Sequence, residues 1–280
     1  MNLILQGLAT DRPSIDRIAA LVQAQRIASL SANAWRCEDV ICAPALKAEV
    51  EAICLEAQID CCFVESGRVL SDFKLLVMDM DSTLITIECI DEIADMQGLK
   101  PQVAEITEAA MRGEIEFRES LTRRVSLLKG LDASALQRVY DERLRLSPGA
   151  EPMLAAIQAA GLKTLLVSGG FTFFTDRIKD RLGLDYTHSN CLEIADGKLT
   201  GRVVGVIVDA DEKKHTVERV CAELGITPKQ AIVMGDGAND LKMMGIAGLS
   251  VAFRAKPIVR AQADVALNFV GLDGILTLFA

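Results

Sequence analysis

The fold of this chain is decided by one stretch, Leu75-Leu76-Val77-Met78-Asp79-Met80-Asp81-Ser82-Thr83. It begins with four apolar residues, and a continuous apolar run is typical of a strand buried on both faces of a parallel sheet. In such sheets, ligands bind beyond the carboxyl ends of the strands, which is where the two aspartates lie. The stretch therefore predicts an α/β domain with a site at this strand end.

Asp79 and Asp81 are one residue apart, so in an extended chain their side chains point to the same side. Neighbouring carboxylates repel each other, and the repulsion raises one pKa unless a cation lies between them. Mg²⁺ is a suitable cation because it prefers oxygen ligands. By itself the pair has a second interpretation, an acidic turn after a strand.

The composition of the chain argues against several classes of partner and metal site. The chain has 280 residues and a formal charge of −9, with no block of Lys and Arg, which argues against nucleic acid and other polyanionic partners. The first residues lack the pattern of a signal peptide, and no apolar stretch reaches the ~20 residues of a membrane span. The eight cysteines form no C-x-x-C pair, and the only histidines are His188 and His215. We therefore expect reduced thiols, no histidine-based zinc site and a cytoplasmic location.

Residues 1–70 are predicted to form a small N-terminal α+β domain. Strands are expected at 2–8, 29–35 and 59–65, and helices from residue 11 and at 45–57. This alternation suggests a ferredoxin-like sandwich, the arrangement of ACT-like amino-acid-binding domains. Because no polar cluster here suggests chemistry, we expect a docking, regulatory or dimerisation module, joined by a linker at 66–72.

Residues 71–280 are predicted to form a larger α/β domain. Apolar residues at helical spacing indicate an all-helical segment at about 87–145, inserted after the first strand, where it would lie over the sheet edge as a lid. From Pro148 onward strands and helices alternate, which is typical of a mainly parallel sheet. The further strands are expected at 163–167, 231–234, 249–253 and 265–268, with a hairpin at 192–206 that turns at Asp196-Gly197.

Two further strand ends carry polar groups. Ser168-Gly169-Gly170, before a helix expected from Phe171, suits a phosphate, because glycines allow close approach and the N–H groups at a helix start point at an anion. The alternative is a tight turn. Gly235-Asp236-Gly237-Ala238-Asn239-Asp240 offers Asp236 as a metal ligand, or only an acidic N-cap region.

A lysine is the remaining part of the predicted site. Lys213 and Lys214 are expected to open a helix, and one of them could cross to the phosphate, although a solvated lysine is the alternative for each. Together, three acidic groups, a glycine-lined anion pocket and a lysine describe a phosphoryl-transfer site. No G-x-x-x-x-G-K-[ST] motif is present, which disfavours a P-loop enzyme.

The combined motifs resemble those of the haloacid-dehalogenase (HAD) superfamily of phosphatases. The four are Asp79-Met80-Asp81-Ser82-Thr83, Ser168-Gly169-Gly170, Lys213 and Gly235-Asp236-Gly237-Ala238-Asn239-Asp240. Further segments resemble its phosphoserine phosphatases, namely Glu88-Cys89-Ile90-Asp91-Glu92, Met111-Arg112-Gly113, Phe117 and Arg123-Arg124-Val125. The likeness covers about 72–270 and is loose over 1–70. It implies a HAD-like Rossmannoid parallel sheet with a helical cap insertion, beside the N-terminal ACT-like domain.

The resemblance implies a catalytic mechanism. Asp79 would attack phosphorus to form an aspartyl phosphate, and Asp81 would protonate the leaving oxygen and later deprotonate a water. Mg²⁺ would be bound by the Asp79 side chain, the Asp81 carbonyl and Asp236. Three groups would hold the remaining phosphate oxygens: Ser168, the Gly169 N–H and Lys213, with Lys214 left open as the alternative lysine. Asn239 and Asp240 would steady the nucleophile, the lysine or the waters bound to the metal.

Substrate selection would come from the lid. Glu88 would pair with the substrate ammonium group and Arg124 with its carboxylate, while Met111 and Phe117 would exclude water. The resemblance thus implies hydrolysis of O-phospho-L-serine to L-serine in the final step of serine biosynthesis. The alternatives are a phosphotransferase that passes the phosphoryl group to another amino-acid alcohol such as homoserine, and an amino-acid sensor without chemistry. A homodimer and an amino-acid effector at the N-terminal domain are compatible with this interpretation.

Overall fold

The structure is a computed structural model that describes residues 1–111 and 114–279. The chain divides into two compact units. Unit 1 comprises Met1–Leu76, Pro148–Lys163 and Ile226–Ala280, and unit 2 comprises Val77–Ser147 and Thr164–Gly225. The predicted boundary between residues 70 and 71 stays a prediction.

The N-terminal part of unit 1 has the predicted α+β fold. Its elements are β1 (Asn2–Gly7), α1 (Arg12–Leu21), β2 (Arg26–Ser31), β3 (Ala34–Glu38), α2 (Pro44–Glu56) and β4 (Ile59–Val64). The sheet has the order β2-β3-β1-β4 with antiparallel neighbours, as in a ferredoxin-like sandwich. The single strand predicted at 29–35 is wrong. That segment contains a hairpin turn, where Asn33, a residue that favours turns, bonds through its side chain to the Leu8 carbonyl.

Local sequence explains these first elements. Asp11 caps α1 by accepting a hydrogen bond from the Ser14 backbone N–H, and Pro13 fits the first turn of the helix. The buried face of α1 then packs with apolar side chains of β1 and α2 in one core, which includes Leu3, Leu5, Ile15, Ile18 and Val50. The amphipathic spacing of the apolar residues therefore accounts for most of this fold.

Within unit 1, a buried carboxylate joins β4 to the C-terminal segment. Asp60 accepts hydrogen bonds from the backbone N–H groups of Asn268, Phe269 and Val270 at 2.7–3.1 Å, and from the Asn268 side chain at 3.2 Å. Burial raises the pKa of Asp60, and these donors oppose the rise. Gln6 adds a hydrogen bond to the Gly274 carbonyl. The N-terminal sheet is thus anchored by buried polar groups that are satisfied.

The larger part of the chain follows the predicted alternation. Its elements in chain order are β5 (Leu75–Met78), α3 (Cys89–Asp95), α4 (Lys100–Met111), α5 (Phe117–Leu127), α6 (Ser134–Arg138), α7 (Ala150–Ala159), β6 (Lys163–Phe171), α8 (Thr172–Leu182), β7 (Tyr186–Ala195), β8 (Lys198–Val204), α9 (Ala210–Glu223), β9 (Ala231–Gly235), α10 (Leu241–Met244), β10 (Leu249–Phe253), α11 (Pro257–Arg260) and β11 (Val265–Leu267). This is an α/β fold with a mostly parallel sheet.

The pairing of the strands determines where the polar residues at their carboxyl ends lie. In unit 2 the order is β5-β6-β7-β8, with β6 parallel to β7 and β8 returning as a hairpin. The hairpin turns at Asp196 and Gly197, both at positive φ, as predicted. In unit 1, β9, β10 and β11 are parallel in that order. Helices α3–α6 form the expected insertion after β5, called the lid below. No helix in the described residues is long and apolar enough to cross a membrane.

Candidate active site

Asp79 lies at the carboxyl end of β5, whose four residues are all buried. Its side chain is only 7% exposed. The Oδ1 atom accepts a hydrogen bond from the Met80 N–H at 2.7 Å and lies 2.8 Å from the Lys213 Nζ atom. A buried carboxylate held by a cation and an N–H is fixed in one orientation, which suits a carboxylate nucleophile.

Asp81 is held by the turn that follows. Ser82 adopts a left-handed conformation with φ of 56°. Its hydroxyl donates to the Glu88 carboxylate at 2.7 Å, and the Cys89 N–H donates to Asp81 Oδ1 at 3.3 Å. Removal from water, followed by the charge of Glu88, raises the pKa of Asp81 to about 8. A carboxyl group that retains its proton near neutral pH suits a general acid.

The segment Ser168-Gly169-Gly170 belongs to the end of β6. The helix predicted to follow is confirmed as α8, which begins at Thr172, one residue later than predicted, because Phe171 still pairs with Asn190 on β7 across an irregular register. The Ser168 hydroxyl accepts a hydrogen bond from the Gly170 N–H at 2.8 Å. A Cβ atom at Gly170 would lie 2.9 Å from Asp81 Oδ2. A larger residue at position 170 would therefore force the side chains of Met80, Asp81 and Ser168 to shift.

Asn190 is a residue that sequence reasoning missed. It is 1% exposed, and its side-chain amide donates to the Gly169 carbonyl at 2.8 Å. Its Oδ1 atom accepts from the Val208 N–H at 2.9 Å, immediately before α9. Asn190 therefore fixes the glycine segment of β6 to the segment that leads into α9. The only sequence signal was one amide residue in a strand-like run.

Lys213 is the lysine that reaches the nucleophile. The prediction that Lys213 and Lys214 open a helix is wrong, because Asp209 caps α9 one turn earlier and accepts from the N–H groups of the first turn. Lys213 is consequently one turn inside the helix and fully buried. Lys214 is partly exposed, with Glu218 at 3.7 Å. The geometry thus favours Lys213 as the phosphate ligand.

The lid places two charged residues near Asp81. Arg124 on α5 is half-buried, and burial lowers its pKa while the charges of Asp91, Glu88 and Asp81 oppose that fall. Glu88 precedes α3. A cation and an anion are thus available for a substrate that carries both charges, such as an amino acid.

Two apolar residues of the lid were also predicted to face the substrate. The Phe117 ring lies over the glycine segment, since a Cβ at Gly169 would be 3.2 Å from its Cζ atom. Met111 ends α4, and its side chain lies outside the described residues, as do Arg112 and Gly113. The predicted role of Met111 stays a prediction.

In unit 1, the loop after β9 is organised by Asp240. This residue is fully buried, and its Oδ2 atom accepts from the N–H groups of Asp236 and Gly237 at 3.2 and 3.1 Å. A Cβ at Gly235 would overlap the Asp240 carboxylate. Asp236 and Asn239 are half-buried. Asp240 therefore fixes the backbone that carries Asp236, and its predicted role of steadying the nucleophile, the lysine or metal-bound waters stays a prediction.

The donors that unit 2 supplies fit a hard divalent cation, since Asp79 at the end of β5 offers carboxylate oxygens and Asp81 offers a backbone carbonyl. In unit 1, Asp236 at the end of β9 offers a further carboxylate. Mg²⁺ prefers oxygen ligands of this kind and tolerates few others. The neighbouring N–H donors and the buried Lys213 are suited to bind an anion, and they are not soft ligands for a metal ion.

Comparison with known proteins agrees with this geometry. The family model described as haloacid dehalogenase-like hydrolase matches residues 73–248, and a domain of unknown function (DUF4072) matches residues 3–50. A phosphoserine phosphatase of Polaromonas sp. is 63% identical over 214 residues, which cover 75% of this chain and 91% of that protein.

Solved structures extend the likeness to the whole chain. A HAD family hydrolase from Salmonella enterica serovar Typhi has a TM-score of 0.89 and 34% identity, covering 100% of this chain and 99% of the other. A probable phosphoserine phosphatase from Vibrio cholerae has a TM-score of 0.85 and 36% identity, covering 99% and 86%. The chain therefore belongs to the haloacid-dehalogenase-like hydrolases, in the branch that contains these phosphoserine phosphatases.

Proposed function

We propose that the chain is a Mg²⁺-dependent phosphoserine phosphatase that hydrolyses O-phospho-L-serine to L-serine and phosphate. One observation carries the proposal: the buried Asp79 carboxylate at the end of β5 lies 2.8 Å from the buried Lys213. Asp81 and the glycine segment adjoin the same strand end. The names of similar proteins support the choice of substrate.

The chemistry divides into two displacements. An Asp79 oxygen forms a bond to phosphorus while the bond between phosphorus and the serine oxygen breaks, and Asp81 donates its proton to that leaving oxygen. Asp81, now ionised, then accepts a proton from a water that attacks the aspartyl phosphate. Asp79 and inorganic phosphate are released. One carboxyl group thus acts as acid and then as base.

Protein donors bind the phosphoryl oxygens during both steps. The Ser168 hydroxyl, the Gly169 N–H and the Lys213 ammonium are the proposed donors. Asn190 holds the Gly169 carbonyl, and so orients the peptide units next to it. The Asp79 carboxylate, the Asp81 carbonyl and Asp236 would hold Mg²⁺, which would reduce the repulsion between the anionic nucleophile and the anionic substrate.

The loop at the end of β9 is proposed to complete the metal site. Asp240 fixes the backbone of Asp236, and Asn239 is proposed to steady the bound phosphate or water. Asp236→Asn is expected to raise the Mg²⁺ concentration for half-maximal activity by about tenfold or more, because a neutral amide binds the cation more weakly than a carboxylate. A Mg²⁺ titration of activity checks this, and an unchanged midpoint would contradict the assignment.

The lid is proposed to recognise the amino-acid part of the substrate. Glu88 pairs with the ammonium group, Arg124 binds the carboxylate, and Phe117 and Met111 exclude water from the closed site. Each charged contact is worth roughly 2–3 kcal/mol when it is partly desolvated. A substrate that lacks both groups cannot use these contacts.

Glu88→Ala and Arg124→Ala are each expected to lower kcat/KM for phosphoserine by about 30- to 100-fold, the equivalent of the lost contact. For p-nitrophenyl phosphate, which has neither group, we expect a change below about fivefold. Arg123→Ala, an exposed neighbour on α5, is the matched control and should leave both substrates unaffected. Equal losses on the two substrates would refute the assignment of Glu88 and Arg124.

The proposed function is tested by hydrolysis of a panel of phosphomonoesters with Mg²⁺ and with EDTA. Phosphoserine should be the preferred substrate, and EDTA should abolish turnover. No preference for phosphoserine would overturn the substrate assignment. Adding homoserine and analysing products separates hydrolysis from phosphoryl transfer, because only a phosphotransferase yields phosphohomoserine. Absence of any Mg²⁺-dependent turnover would favour a sensor.

The remaining expectations stay predictions. They are the place in serine biosynthesis, a cytoplasmic location, a homodimer and an amino-acid effector at the N-terminal domain. Calorimetric titration of the full chain with serine tests the effector. Heat of binding that persists in the double variant Glu88→Ala with Arg124→Ala, which removes the proposed contacts of the catalytic site to serine, would support a separate effector site.

A further inference from the structure

We propose that the salt bridge between Arg118 and Asp209 holds the lid closed over the phosphate-binding segment, and that Arg118 is a positioning residue for substrate binding. This inference depends on the proposed function in one respect, because its kinetic test uses phosphoserine as the substrate. The salt bridge joins parts of unit 2 that are 91 residues apart in sequence. We call it the lid salt bridge.

The geometry of the lid salt bridge is that of a strong charge-assisted hydrogen bond. Arg118 Nε donates to Asp209 Oδ2 at 2.6 Å. Arg118 is in the first turn of α5, and Asp209 is the residue that caps α9. One partner therefore belongs to the lid, and the other to the helix that carries Lys213.

Asp209 divides its hydrogen bonds between two tasks. Its Oδ1 atom accepts from the N–H groups of Asp211 and Glu212 at 3.0 and 2.9 Å, which caps α9. Its backbone carbonyl accepts from the Lys213 N–H at 2.9 Å. The Oδ2 atom is left for Arg118. The lid is thus attached one helical turn from the lysine that contacts Asp79.

The position of Arg118 in the lid indicates what the contact controls. Phe117, the preceding residue, places its ring over Gly169. Because Arg118 follows Phe117 directly, we expect an opening of the lid that withdraws Phe117 from the glycine segment to lengthen or break the bond from Arg118 to Asp209. The lid salt bridge therefore stabilises the conformation in which the phosphate-binding segment is covered.

The other salt bridge of α5 provides a matched comparison. Arg123 pairs with Glu119 four residues earlier on the same helix, and its side chain is 54% exposed, close to the 57% of Arg118. That pair stays intact whether the lid is open or closed, because both partners move together. A surface pair contributes little to the stability of the fold. Of these two salt bridges, the Arg118 pair is therefore the one whose loss can change the balance between the open and the closed lid.

Arg118→Gln is expected to raise KM for phosphoserine by about threefold to fivefold, the size of one exposed ion pair, with kcat within about twofold. The reason is that a lid which closes less firmly weakens substrate retention, while the chemistry in the closed complex is unchanged. Arg118→Lys keeps the charge and should recover most of the loss. Arg123→Gln should leave KM unchanged.

Asp209→Asn provides a second test, since asparagine also caps helices well but carries no charge. It should reproduce the effect of Arg118→Gln, and the double variant should be no worse than either single one. Additive losses, an equal effect of Arg123→Gln, or a fall in kcat at constant KM would overturn the proposal.

Hydrogen exchange measured by mass spectrometry tests the lid salt bridge without any substrate. Peptides that cover Phe117–Leu127 should exchange faster in Arg118→Gln than in the wild-type chain, and at the wild-type rate in Arg123→Gln. If the wild-type chain failed to hydrolyse phosphoserine, the proposed function would fail while this measurement remained decisive. Equal exchange in all three proteins would refute the role of Arg118.

Discussion

Replacing Asp79 by asparagine is expected to lower phosphoserine hydrolysis by about 10⁴-fold or more, the range seen when a catalytic nucleophile is removed. An amide oxygen is a poor nucleophile and forms no stable phosphoryl ester, so neither of the two displacements can begin. The measurement is single-turnover hydrolysis of radiolabelled phosphoserine with acid quench. The wild-type chain should carry label on the protein, and the variant none.

The fold should survive this substitution. Asparagine retains the oxygen that accepts from the Met80 N–H, and it can still accept from Lys213, but the buried ammonium group loses its anionic partner, so the melting temperature should fall while the fold is kept. Circular dichroism and thermal unfolding check this, with Asp176→Asn on the exposed side of α8 as a control for the loss of one carboxylate. Retained turnover in a folded Asp79→Asn protein would eliminate Asp79 as the nucleophile.

Lys213→Met is the second substitution with a large expected effect. Activity should fall by about 10³-fold, because one charged donor to the phosphoryl group is lost. The free energy of unfolding should fall by roughly 3–5 kcal/mol, because the substitution leaves the buried Asp79 carboxylate without its cation. Steady-state kinetics and urea unfolding measure the two effects.

Lys214→Met is the control that the sequence itself supplies. Lys214 is the next residue and partly exposed, so its replacement should change activity and stability little. A double variant, Asp79→Asn with Lys213→Met, carries neither charge and should be more stable than Lys213→Met alone. Equal defects in the two lysine variants would contradict the assignment of Lys213.

The strand ends could be predicted from sequence because their signals are local. The apolar run of β5 identifies a buried strand, and a strand of a parallel sheet places Asp79 at the edge where ligands bind. The lid could be predicted for a similar reason, since helical spacing in a single segment needs no knowledge of partners. Capping residues close to the first turn, such as Asp11, also act within a few residues.

Residues that act through distant partners could not be assigned in this way. The choice between Lys213 and Lys214 depends on where α9 starts, and Asp209 sets that start one turn earlier than the lysine pair suggests. The role of Asn190 depends on Gly169 and Val208, 21 and 18 residues away. The periodicity of apolar residues predicts on which face of a helix or strand a residue lies, but not which backbone groups its side chain contacts.

The hydrogen bonds of Asp60 have a consequence for dissection of the molecule. Dividing the chain near residue 70 would leave buried polar groups without hydrogen-bond partners in both fragments. A fragment 1–70 would lose the four donors of a carboxylate that is 1% exposed, and the excised catalytic portion would leave the N–H groups of Asn268, Phe269 and Val270 without their acceptor. The N-terminal sheet is therefore part of what keeps the enzyme folded, whatever further role it has.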